Sequence, residues 1–94
     1  MAISFSSRVR VPRDVLITKV GGESVILNLR SERYFGLDDT GTEMWAALSG
    51  SESIEAAYRE LLQKYNVETD LLRRDLEALV EKLLEQGLIE ISDE

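Results

Sequence analysis

The stretch Tyr34-Phe35-Gly36-Leu37-Asp38-Asp39-Thr40-Gly41-Thr42-Glu43-Met44-Trp45 decides the fold of this 94-residue chain, because the hydrophobic period changes inside it. On its amino side apolar residues recur at every second position, as a half-buried strand requires. On its carboxyl side they recur every three to four positions, as one face of a helix requires. Tyr34 to Leu37 reads as a short strand. Asp38 and Asp39, adjacent acids at a helix start, read as cap and dipole partners rather than as a hard-metal site. Thr40-Gly41-Thr42-Glu43 has the spacing of a capping box, in which a hydroxyl and a glutamate satisfy free backbone donors. Met44, Trp45 and Leu48 give the first short helix an apolar side, and Ser49-Gly50 ends it.

Upstream, Val15 to Val20 and Ser24 to Leu29 are β-rich runs separated by Gly21-Gly22, a dipeptide suited to a tight hairpin turn. Arg30-Ser31-Glu32-Arg33 is the polar turn into the third strand. Residues 1–12, with the only proline at Pro12, are expected to form a flexible N-terminal segment, extended toward its end. Downstream, Ile54, Ala57, Tyr58, Leu61, Leu62 and Tyr65 make a single helical stripe that begins near Ser51 or Ser53 and ends near Asn66. Thr69 is the expected cap of the longest helix, which carries Leu71, Leu72, Leu76, Leu79, Val80, Leu83 and Leu84 and stops at Gly87. That stripe is broader than one contact face needs. Leu88 to Ile91 alternates apolar and acidic residues and reads as a last extended segment. The sum is an α+β domain over residues 13–91, winged helix-turn-helix-like, with an N-terminal three-stranded antiparallel sheet followed by three helices.

Composition removes most enzyme classes. The chain has neither cysteine nor histidine, so disulfides, thiolate metal sites and the commonest general base are all missing. No Gly-x-Ser-x-Gly elbow, Gly-x-x-x-x-Gly-Lys phosphate loop or Gly-x-Gly-x-x-Gly turn occurs. Gly50-Ser51-Glu52 is a poor substitute for the Asp-Ser-Leu start of an acyl carrier. No catalytic residue, metal ligand or cofactor is therefore expected. No apolar run of about 18 residues and no signal-peptide core is present, so a soluble, cytoplasmic protein is expected.

The net charge of −7 is uneven. Residues 1–37 carry six basic and three acidic side chains, and residues 38–94 five basic and fifteen acidic. The long helix, from Glu68 to Gly87, is itself net acidic. Non-specific nucleic-acid affinity rests on counterion release by Lys and Arg, so such a helix in a DNA groove would forfeit most of it. Neither nucleic acid nor an anionic membrane is an expected partner. What remains is a binding surface. The third strand is short and ends the meander, and if it is the sheet edge its free backbone groups can accept an extended peptide. Tyr34 and Phe35 cannot both point into one core, because successive strand residues face opposite ways.

The run from Val25 to Trp45, and Leu72-Arg73-Arg74-Asp75-Leu76-Glu77-Ala78-Leu79 followed by Gly87-Leu88-Ile89, resemble the PqqD-like family, whose members recognise ribosomally made precursor peptides. The resemblance implies a non-catalytic adaptor that binds the leader of a precursor as an added strand, antiparallel to the third strand and facing the third helix. It implies strand contacts from Arg33, Tyr34, Phe35, Gly36 and Leu37, and a groove wall from Leu72, Asp75, Leu76, Leu79 and Val80. For Asp75 an ordinary surface ion pair with a neighbouring arginine is the competing reading. The Tyr-Phe-Gly-Leu-Asp wording is most similar to members that serve lasso-peptide maturation, which implies a separate cysteine protease for the leader and an ATP-dependent ring-closing enzyme as partners. A peptide chaperone for the quinone cofactor PQQ, a winged-helix transcriptional regulator and a structural subunit of some other complex are the alternatives.

Overall fold

The computed structural model describes residues 3–92. Gly21, at φ +65, closes the hairpin between β2 (Val15–Val20) and β3 (Glu23–Asn28), and its left-handed backbone is one that glycine adopts without strain. The polar turn 29–32, with Glu32 at φ 62, leads into β4 (Arg33–Leu37). The antiparallel order is β2-β3-β4, in a register that sets Leu16, Leu27 and Tyr34 in one row and Ile17, Ile26 and Phe35 in the next. Because strand faces alternate, Val15, Ile26, Phe35 and Leu37 look toward the helices, and Leu16, Val25, Leu27 and Tyr34 look away from them.

Three helices follow: α1 (Asp39–Gly50), α2 (Ile54–Lys64) and α3 (Thr69–Glu85). The α+β order of sheet and then helices is as the periodicity indicates. The caps differ in detail. Asp38, not Thr40, caps α1, its carboxylate accepting from the Gly41 N–H at 2.8 Å. A carboxylate at a helix N-terminus gains from the dipole as well as the hydrogen bond, and so outcompetes a hydroxyl two residues later. Thr42 is instead buried, its Oγ1 2.7 Å from Ser24 Oγ on β3. Ser53 caps α2. Thr69 is the first residue of α3 rather than its cap, and Glu68 before it makes no capping bond through its side chain. Gly87, at φ +72, ends α3 as expected.

The core lies where the helices meet the sheet, with Ile26, Leu48, Ile54, Leu61, Leu76 and Val80 sealed from solvent. The expected flexible segment 1–12 contributes to it. β1 (Arg8–Arg10) pairs with β5 (Glu90–Ser92), and Phe5 and Val9 are buried. The carbonyls of Phe5 and Ser7 accept from the Glu55 and Ile54 N–H groups, which α2 cannot satisfy internally. The Arg73 guanidinium stacks 4.1 Å from the Phe5 ring centroid and pairs with Glu55 at 3.8 Å. An apolar ring and a strand partner thus order what polarity alone suggests is loose. Met1 and Ala2 lie outside the described residues.

Candidate peptide-binding site

Among the described residues β4 pairs on one side only, with β3, so alternate N–H and C=O groups from Arg33 to Leu37 point outward along a free edge. The element that faces this edge is α3, and two sets of contacts fix its direction. At one end Asn28 Nδ2 donates to the Gly87 carbonyl at 3.0 Å, and Asn28 stands opposite Arg33 in the sheet. At the other end Leu71, Leu72 and Asp75 share a hollow with Thr40 and Met44, just past Leu37. Helix α3 therefore runs antiparallel to β4, and a strand added antiparallel to β4 would run parallel to α3.

The hollow has a volume of about 140 Å³ and a mainly apolar lining, to which Leu61, Tyr65 and Val67 also contribute. Leu71 and Val67 stand substantially exposed beside it. Phe35 of β4 and Leu79 of α3 are each half-buried against the core. Arg33 on the strand and Asp75 on the helix are both exposed.

The ten site residues expected from the sequence divide into three groups. Arg33, Tyr34, Phe35, Gly36 and Leu37 all lie in β4, where alternate residues turn backbone groups to the free edge. Of their side chains Leu37 is core, Phe35 faces the helices, and Tyr34 is 75% exposed on the opposite face of the sheet. Leu72 and Asp75 line the hollow, and Leu79 follows Asp75 by one helical turn on the same side of α3. Leu76 and Val80 are the third group: both are 0% exposed and form the floor beneath the cleft instead of a wall that a ligand touches. Asp75 takes part in none of the ion pairs among the described residues, and its neighbour Arg73 pairs with Glu55. Sequence reading missed Thr40, Met44, Leu61, Tyr65, Val67 and Leu71 as lining of the hollow. The only signal for the hollow was the surplus width of the α3 stripe, which Leu71 accounts for.

A free strand edge set opposite a half-apolar helix is the geometry that can accept an extended chain as an added strand. The chain matches the family model for Coenzyme PQQ synthesis protein D (PqqD) over residues 23–89, and it belongs to that family. Two solved structures are similar across nearly their whole length. One is TbiB1 in complex with the TbiA(beta) leader peptide: 27% identity, TM-score 0.79, covering 86% of this chain and 94% of that one. The other is lasso peptide synthetase B1 complexed with the leader peptide: 28% identity, TM-score 0.77, covering 88% and 98%. No curated protein matches the sequence at a significant level.

Proposed function

We propose that this protein is a leader-peptide-binding adaptor for a ribosomally made precursor, in a lasso-peptide pathway. The observation that carries the reading is the unpaired edge of β4 held alongside α3, in a fold shared with two proteins solved in complex with leader peptides. An extended leader adds as a fourth strand, antiparallel to β4. Its backbone hydrogen bonds fix register, and side chains turned toward α3 pack on Phe35, Leu79 and the hollow beside Leu72. Since β4 meets α1 at Leu37, the hollow receives a residue that precedes the paired stretch of the leader. The role proposed is binding without catalysis: the edge offers backbone groups and the hollow beside it is mainly apolar. The bound precursor is passed to a separate cysteine protease and an ATP-dependent ring-closing enzyme. No helix among the described residues is long and apolar enough to cross a membrane, and we place the adaptor in the cytoplasm.

Anisotropy titrations of labelled lasso-type and PQQ-type leaders at two salt concentrations test this reading. Saturable binding of the lasso-type leader with a shallow salt dependence is expected, since the contacts are backbone and apolar. Preference for the PQQ-type leader would move the protein to that pathway. DNA binding that falls steeply with salt, with no leader binding, would return it to the regulator reading.

A further inference from the structure

The face of the sheet turned away from the helices is apolar and uncovered. Leu16, Val20, Val25, Leu29 and Tyr34 are 43–75% exposed there, and they make up most of the exposed large apolar side chains among the described residues. Leu27 fills the row between Leu16 and Tyr34. The only charged side chain that strand alternation places on this face is Glu23, at its rim. Side by side on the face stand a knob and a hole. Tyr34 projects at 75% exposure, and two residues further along β4 Gly36 has nothing within 4 Å of where a Cβ would sit. Gly36 opens into a depression of about 310 Å³ whose lining includes Val20, Val25, Glu23 and Asp38.

From this pairing we infer that the outer sheet face is a dimer interface occupied by a second copy of this chain. A two-fold axis between the knob and the hole seats each Tyr34 ring in the depression beside the partner's Gly36, and the exchange is reciprocal. The phenol hydroxyl then has the partner's Glu23 and Asp38 carboxylates within the same depression, which meets the usual need of a buried tyrosine for a polar partner. The two sheets stack in the aligned manner of a β-sandwich, about 10 Å apart. A face with almost no charge gives little hold to a partner chosen by electrostatics, and it is complementary to itself in shape and polarity. Each copy carries a net charge of −7, and Glu23 and Asp38 stand at the contact, so two copies repel mildly. Salt that screens this mild repulsion therefore strengthens the dimer. Three strands about 4.8 Å apart make a patch near the lower size limit of specific interfaces, the class of weak, reversible contacts. Peptide addition uses the free edge and the opposite face, and the inference stands whether or not the leader reading does.

Sedimentation equilibrium of the chain alone, from about 5 to about 500 µM at low and high salt, is the test, a range chosen to bracket a weak dimer. The expected result is a reversible transition from the 10.6 kDa monomer to twice that mass, tighter at high salt. Val25→Asp raises the dimer dissociation constant more than about tenfold, the scale expected for a charge placed in a buried apolar contact. It leaves leader affinity unchanged, with folding verified by circular dichroism. Tyr34→Ala weakens the dimer independently. A chain that stays monomeric throughout overturns the inference and leaves the face to a different protein. So does a dimer that persists in both folded variants.

Discussion

The amide of Asn28 makes three hydrogen bonds at once. Its Oδ1 accepts from the Arg30 and Ser31 N–H groups at 2.9 and 3.2 Å, forming the turn into β4, while its Nδ2 donates to the Gly87 carbonyl at the end of α3. Asn28→Asp separates these duties: a carboxylate keeps the turn acceptors, loses the donor and sets negative charge against a carbonyl. Loss of about 1–3 kcal/mol of stability in denaturant melts, with weakened leader binding, is the expected outcome. The buried Ser24–Thr42 hydroxyl pair allows a second test. Ser24→Ala alone strands the Thr42 hydroxyl and costs about 1–3 kcal/mol, whereas adding Thr42→Val recovers part of that loss, which a double-mutant cycle by chemical denaturation measures. Gly21 and Gly87 were legible in the sequence because only glycine takes those angles cheaply. Asn28 was not, because its second partner lies 59 residues away.

Helices α1 and α2 are tied on their outer side by Lys64 Nζ and Glu43 Oε1 at 2.7 Å. The Lys64 hydrogen bond, and then its charge, hold the Glu43 carboxyl below its ordinary pKa, and the same bond raises Lys64. The contribution from Glu43 is present above the ordinary carboxylate value and is lost as pH falls through the lowered one. That from Lys64 is present below the ordinary lysine value and lost as pH rises through the raised one. Both groups are solvent-exposed, so the expected signal is spectroscopic: in a side-chain carboxyl NMR titration Glu43 moves back toward its ordinary value in Lys64→Met. At this scale each helix and each strand of the three-stranded sheet was legible through its period, and the alternation of Leu88 to Ile91 marked the extended segment that overlaps β5. Neither β1, a three-residue strand with no period to detect, nor its pairing with β5 across some eighty residues was legible.

For the molecule as a whole, the division between cleft and core governs what mutation reports. Leu79, half-buried at the cleft, tolerates Leu79→Asp as a folded protein, and leader affinity by anisotropy falls more than about tenfold. Leu76→Asp puts a charge at a 0% exposed position and unfolds the domain, so lost binding there says nothing about the cleft. If folded Leu79→Asp binds leader normally, the peptide lies elsewhere. The helical stripe alone could not separate Leu79 from Leu76, since both satisfy the same period. Only the packing of α2 beneath α3 distinguishes floor from wall.

The bond from Asn28 to Gly87 also has a mechanical meaning. It pins α3 to the sheet at the Arg33 end, whereas the first turn of α3, with no side-chain cap, borders the hollow at the other end. That far end rests on α2 instead, where the Tyr58 hydroxyl donates to the Thr69 carbonyl at 3.2 Å and Arg73 pairs with Glu55. Helix α3 is thus a beam propped at both ends, on the sheet beside Arg33 and on α2 beside the hollow. Amides of its uncapped first turn are expected to exchange faster than those near Gly87 in the free protein and, on the proposed docking, to gain protection when leader peptide is added, which hydrogen exchange measures.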